Sequence, residues 1–248
     1  MEQKFKLPTE TVELPSKGLL YPKDSPLASG KIEMKYMTAK EEDIITNTNY
    51  IKQGTVIDKL LQSLIITPID YNELLVGDKN AIMVAARILS YGASYEFEYD
   101  KTPQSVDLTT IKHKPLHPDF EKATKNEFEF TLPHTGNQIT FKILSHSDES
   151  KIDQEIKGLQ KLSKDSKSEV TVRLAHLLTS VNGSPERKDI REFVNQYFLA
   201  LDVRAFRKYY SEISPDLDMK VEVVNNEGEE EVVDLPVGIN FFWPDAGV

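Results

Sequence analysis

The stretch that most constrains this chain is residues 74–92, LLVGDKNAIMVAARILSYG. Ala81, Val84, Ala85 and Ile88 recur at i, i+3, i+4 and i+7, the spacing of one helical face. Ile82, Met83, Ala86 and Leu89 widen that face until little of the helix is polar. A helix apolar on most sides belongs inside a core. The pattern predicts a short helix end, a tight turn at Gly77-Asp78, and then a buried helix. Asp78 is its candidate N-cap and Gly92 its C-terminal stop. Arg87 is the one long charge in the middle and is expected to snorkel or pair at the core's edge. The rest of the N-terminal half is expected to pack around this helix.

The chain has 248 residues, enough for one large domain or two small ones. Its apolar and charged fractions, 39% and 28%, are those of a folded soluble protein. A net charge of −10 argues against general binding to a phosphate backbone. The absence of cysteine removes disulfides, thiolate metal sites and thiol nucleophiles together. The start, MEQKFKLPTE, has neither an apolar core nor a cleavage pattern, so it does not read as a signal peptide. No apolar run approaches the roughly 18 residues of a membrane span.

Residues 1–30 are rich in proline and glycine and read as an extended arm, with turns at residues 15–18 and 27–30. Leu14, Leu19, Leu20 and Tyr21 are apolar enough to dock, either on this chain's own core or on a neighbouring subunit. Ile32, Met34 and Tyr36 alternate as in a short strand. Thr38 and Glu41 form a capping box for a helix to about Asn47. A second helix starts at Thr55 and buries Val56, Ile57, Leu60, Leu61 and Leu64, and Pro68 ends that run. Residues 70–75 form a short third helix. After Gly92 the period changes to two. Tyr95, Phe97 and Tyr99 give a strand, Lys101-Thr102-Pro103 a turn, and Val106 and Leu108 a return strand. Phe128, Phe130 and Leu132, a turn at residues 133–136, and Ile139, Phe141 and Ile143 make the clearest hairpin.

Residues 148–162 carry a weak helical stripe of Ile152, Ile156 and Leu159. Lys161 to Lys167 is a charged break and a candidate joint. Residues 170–181 read as an amphipathic helix with Val170, Leu174, Leu177, Leu178 and Val181 inward. Ser184-Pro185 opens a helix whose apolar face is Ile190, Phe193, Val194, Tyr197, Phe198 and Leu201. Asp202 caps a further helix with Phe206, Tyr209, Tyr210 and Ile213. Met219, Val221 and Val223 begin a last hairpin with its tip at residues 225–228. The first and last hairpins both end in Val-Asp-Leu, at residues 106–108 and 233–235, a weak internal repeat.

The fold class is therefore α+β: a helical N-terminal core with β-hairpins, then a helical segment, then a C-terminal hairpin with an aromatic tail. The expected divisions are an arm at 1–30, an α+β domain at 31–146, a helical region at 147–217, and a hairpin with its tail at 218–248.

Catalytic and metal signatures are missing. His113 and His117 have ligand spacing, but Pro115 and Pro118 break the helix that would align them. No phosphate loop, dinucleotide fingerprint, nucleophile elbow or zinc-protease motif occurs. No cofactor, catalytic residue or metal ligand is assigned. Three features point instead to protein contacts. Arg204, Arg207 and Lys208 make the last helix locally basic, either as ordinary salt-bridged surface or as a docking face for an acidic neighbour. Phe241, Phe242 and Trp243 form an aromatic cluster that either packs back on the chain or anchors in a partner. Leu14, Leu19, Leu20 and Tyr21 complete the candidate partner-binding set.

Several short motifs, in this order, carry a family resemblance. They are residues 12–18, VELPSKG, with Tyr21, then Gly30-Lys31, residues 37–42, MTAKEE, and residues 74–78, LLVGD. Arg87 with Ser90-Tyr91-Gly92 follows, and residues 234–236, DLP, with 241–244, FFWP, close the series. The chain resembles the T4-like myophage baseplate protein family, whose members are described as baseplate hub subunits or hub assembly factors. The motifs are densest in the first hundred residues, and 110–215 adds little. The family's pattern places Cys-x-x-Cys pairs at hairpin tips. Here the tips read KTPQ at 101–104 and NNEG at 225–228, so zinc cannot be held there by thiolates. The resemblance implies a non-enzymatic tail protein made in the host cytoplasm, with the virion tail baseplate as its further location. Its partners would be other baseplate or hub proteins or a second copy of itself, with no nucleic acid or membrane. A transient hub chaperone absent from the mature virion, or a small phage hydrolase, are the alternatives.

Overall fold

The structure, a computed structural model, describes residues 7–162 and 168–242. β1 (Thr9–Glu13) pairs antiparallel with β2 (Lys31–Lys35), Glu13 lying opposite Lys31. The part of the expected arm that is described thus folds back as a hairpin. The connecting loop closes through Leu14, whose N–H donates to the Gly30 carbonyl at 2.8 Å. Lys17 and Gly18 have φ of 52° and 79°. A methyl on Gly18 would sit 2.5 Å from the Ala28 carbonyl oxygen, so the two turns pack backbone against backbone. Ile32 and Met34 face the core between exposed Lys31 and Glu33.

α1 (Ala39–Ile45) begins at the expected capping box of Thr38 and Glu41. α2 (Thr48–Gln53), absent from the sequence reading, is nucleated by Asn47, whose side chain accepts the Asn49 and Tyr50 N–H groups. α3 (Val56–Leu64) buries Val56, Leu60, Leu61 and Leu64. A single 3-10 turn at Tyr71–Glu73 stands where a third helix was expected. α4 (Val76–Tyr91) is the buried helix, but it starts earlier than its pattern suggests. Gly77 and Asp78 lie in its first turn rather than in a preceding turn, and Leu75 occupies the N-cap. A methyl on Gly77 would overlap the Pro215 carbonyl oxygen, so a side chain is excluded there by close approach. Ala81, Ile82, Met83, Val84 and Ala86 are buried.

β3 (Ser94–Tyr99) and β4 (Thr102–Asp107) form the next hairpin. Its turn falls on Asp100 and Lys101, both with positive φ, so Thr102 and Pro103 belong to the strand. α5 (Pro118–Lys122) is short and carries proline in its first turn. β5 (Phe128–Thr131) and β6 (Gln138–Phe141) make the expected hairpin, followed by α6 (His146–Leu162) and α7 (Glu169–Leu177). The helix expected over 170–181 ends at Leu177. The next four residues form β7 (Leu178–Val181), a third strand on the open edge of β6. An available sheet edge overrode the helical period. Leu174, Leu177, Leu178 and Val181 are buried as expected, whereas Val170 is exposed and Val172 and Ala175 fill the core with them. Part of the expected joint, residues 163–167, lies outside the described residues.

α8 (Arg187–Gln196) starts after Glu186, two residues beyond the expected cap. Ser184 instead donates its hydroxyl to Asp189. α9 (Ala200–Ile213) leads to β8 (Lys220–Val224) and β9 (Glu230–Asp234). The Val-Asp-Leu repeat has a structural counterpart. The Leu108 N–H donates to Ala93 O and the Leu235 N–H to Met219 O, so both hairpins close identically over a buried leucine. The hairpins also lie side by side. The Gln104 side chain bonds both the N–H and the carbonyl of Val224, and the Tyr99 hydroxyl donates to Glu231 at 2.7 Å.

The fold is α+β, with helices and small antiparallel sheets around one cluster of buried residues running from Leu14 to Phe242. Among the described residues no helix is long and apolar enough to cross a membrane.

Candidate functional site

A reaction centre would draw on the interior polar groups. Among the described residues four carboxylates are buried: Glu41, Asp78, Asp148 and Asp202. Each is the third residue of its helix. That position faces the unpaired N–H groups and the positive end of the helix dipole, where a negative charge is stabilised.

Two of the four serve their own helix. Glu41 accepts from the Thr38 N–H and hydroxyl and from Lys35 Nζ at 2.8 Å. Asp148 accepts from Ser145 and from Lys142 Nζ at 2.6 Å. The same sequence pattern, Lys-x-x-Ser/Thr-x-x-acid, produces both. In each case burial pushes the carboxyl up, but the lysine and cap hydrogen bonds outweigh it and hold it below its ordinary range.

The other two reach across to distant loops. Asp78 accepts the Ser16 N–H at 2.9 Å, the Ser16 hydroxyl at 2.6 Å and the Tyr21 hydroxyl at 2.6 Å. Tyr21 in turn accepts the Leu75 N–H. Asp202 accepts the His134 N–H at 2.9 Å and the Thr135 hydroxyl at 2.8 Å, and so holds the β5–β6 turn. All four carboxylates are committed to architecture. Arg87 is buried between the Tyr91 and Tyr95 rings and donates to the Gly92 and Ser94 carbonyls, ending α4 without a carboxylate partner.

Three of the histidines are also engaged. His117 caps α5, His176 pairs with Glu155, and His146 sits edge-on to Tyr71. Burial, with Lys79 beside it, pushes His146 below its usual value. Asp58, Lys79, His146 and Tyr71 form a titratable cluster, with Lys79 Nζ 2.6 Å from Asp58 and the Tyr71 hydroxyl 3.0 Å from it. These groups satisfy one another across α3, α4 and α6. Among the described residues no three His, Asp or Glu side chains are grouped to hold a metal.

The residues expected to meet a partner divide sharply. Leu14, Tyr21, Phe241 and Phe242 are buried in this chain's own core. Phe241 packs edge-on against Tyr95 at 4.8 Å, which places those two aromatics of the tail in the interior rather than on a neighbour. Leu20 is half-buried against the core, and Leu19 is exposed. Trp243 lies outside the described residues. Arg204, Arg207 and Lys208 are exposed on α9.

The structure adds an apolar corner at the α8–α9 junction. Tyr197 and Leu201, expected on the apolar helix face, are 56% and 58% exposed, and Leu199 between them is 50% exposed. Leu201 is five residues before Phe206, which puts it on the far side of α9. That periodicity was the available signal. On the Phe206 side of α9 opens a cleft of about 390 Å³, lined by Leu144, Leu174, Phe206, Arg207 and Tyr210 among others. The Arg173–Glu149 ion pair closes another side.

The buried acids hold helix starts and loops, and α9 presents an exposed basic and apolar face. Residues 8–243 match the family model described as T4 bacteriophage base plate protein. The chain belongs to that family. The match covers the hairpin-and-helix core from β1 to the Phe241-Phe242 turn, including 110–215, where the short motifs are sparse. Comparison with curated proteins and with solved structures gives no match. A baseplate family places the chain in phage tail biology, with other baseplate proteins as its neighbours.

Proposed function

We propose that this baseplate-family chain is a non-enzymatic hub protein that acts by protein–protein contacts while the baseplate is assembled. The observation that carries this reading is the family match over residues 8–243. The structural use of every buried carboxylate supports it, because it leaves the described interior without an uncommitted acid or base. The contact face is the exposed side of α9 with Arg204, Arg207 and Lys208, joined by Leu19 and Leu20 on the first hairpin loop. An acidic chain presenting a basic patch favours acidic protein neighbours over nucleic acid. Synthesis and assembly take place in the host cytoplasm, and the destination is the tail baseplate.

A transient assembly chaperone uses the same face and differs only in its fate. Quantitative mass spectrometry of mature particles and baseplate intermediates separates the two. A fixed copy number in mature particles is the expected result for a structural hub subunit. Presence in intermediates alone identifies the chaperone. Absence from both removes the baseplate reading and returns the hydrolase alternative.

A further inference from the structure

Two surfaces of opposite character remain uncovered. The first is the outer face of α9. Leu201, Arg204 and Lys208 stand at i, i+3 and i+7, along one side of the helix, with Arg207 at their margin. Among the described residues neither Arg204 nor Arg207 has an ion-pair partner. Lys208 has only a loose 3.9 Å contact to exposed Glu212.

The second surface is the outer face of the two neighbouring hairpins. Residues 94–107 and 220–234 hold ten carboxylates against two lysines, so most of the chain's net charge of −10 is concentrated there. Among the described residues none of these ten is in an ion pair. Elsewhere Glu13, Asp58, Glu149 and Glu155 are each met by a lysine or arginine. On β8–β9 the outward positions include Glu222, Val224, Glu230 and Val232, and Val232 is 64% exposed. Exposed valines between unpaired carboxylates make an apolar strip with an acidic rim.

We propose that these surfaces are the two halves of one contact between copies of this chain. The basic, leucine-bearing face of α9 in one copy docks on the acidic, valine-bearing face of β8–β9 in the next. The proposal rests on the reading of Arg204, Arg207 and Lys208 as a docking face for an acidic protein, and it identifies that protein as a second copy. Each surface lacks what the other supplies: cations for the carboxylates, and leucine and tyrosine for the valines. Complementary potentials of this kind set register and accelerate encounter. Because the two faces differ, the contact is head-to-tail, so the copies close into a ring or extend as a filament.

The test is sedimentation velocity of the full chain at low and high salt, with two charge-reversed variants. Arg204→Glu with Arg207→Glu alters one face, and Glu222→Lys with Glu230→Lys alters the other. All four positions are exposed, and an unchanged circular dichroism melt verifies folding. The wild type is expected to assemble with rising concentration at low salt and to dissociate near 1 M salt, where screening acts within about 3 Å. Each variant alone is expected to stay monomeric. Their equimolar mixture is expected to assemble, because the unaltered acidic hairpin face of the first variant meets the unaltered basic α9 face of the second. A wild type that is monomeric at every concentration overturns the proposal. So does assembly indifferent to salt and to both reversals, or a mixture that remains monomeric. Particle mass spectrometry judges the baseplate reading independently: a monomer found at fixed copy number in particles removes only the self-contact.

Discussion

Asp78 and Asp202 occupy the same position in their helices and do the same job, yet their electrostatics diverge. Each is the third residue of a helix, each is buried, and each grips a loop more than fifty residues away. Burial pushes the Asp78 carboxyl above its ordinary value, and its bonds from Ser16 and Tyr21 only partly offset that. Burial also pushes Asp202 up, but the His134 N–H and the Thr135 hydroxyl prevail and hold it below the ordinary range. The first lies deep under the β1–β2 loop, among the apolar residues around α4. The second lies at a turn, where backbone dipoles converge on it. A buried acid at a helix start is therefore a clamp in both places, but its charge is a cost in one and an asset in the other.

Gly77→Ala should do the most damage. The methyl collides with the Pro215 backbone and must displace either α4 or the segment entering β8, which loosens the Asp78 clamp with it. A loss on the order of 4 kcal/mol is expected in urea unfolding, at the upper end of overpacking costs. A loss below about 1 kcal/mol would show that the approach relaxes freely. Alanine at the two clamps comes next. Asp78→Ala strands the Ser16 N–H and two hydroxyls and should cost about 3 kcal/mol, against about 2 kcal/mol for Asp202→Ala, which strands one N–H and one hydroxyl. Equal costs would mean that clamp depth does not matter.

The smallest and sharpest effect is in the pH dependence. Asp202 has a depressed folded pKa, so its stabilisation is full above the unfolded carboxylate value, about 3.9, and is lost as pH falls through the folded value. Asp78 has a raised folded pKa, so its term becomes more favourable as pH falls through that value and is complete below the unfolded one. Asp202→Asn should therefore flatten the acid limb of the stability profile, and Asp78→Asn should steepen it. Chemical denaturation between pH 3 and 7 measures both. Parallel profiles for the two variants would refute the assignment of opposite charge environments.

Local patterns were legible where a short range of sequence holds all the causes. The capping box of Thr38 and Glu41, the buried α4, the β5–β6 hairpin and the Val-Asp-Leu hairpin pair all follow from spacings of two to four residues. The family also was readable, because its motifs are contiguous. The contact face was half legible: Arg204, Arg207 and Lys208 declare their charge, whereas Tyr197, Leu199 and Leu201 look like any other apolar residues until their side of the fold is known.

The sequence by itself determined most of the longer helices and the hairpins, that the chain is acidic and without cysteine, and which family it belongs to. Tertiary structure alone decided that Leu178–Val181 joins a sheet instead of lengthening α7, that Leu14, Tyr21, Phe241 and Phe242 are interior, and that Asp78 and Asp202 hold loops rather than cap helices. The physical reason is range. Backbone periodicity and capping are settled among near neighbours, whereas what covers an apolar side chain, or completes a carboxylate's hydrogen bonds, is set by residues that only the folded chain brings together.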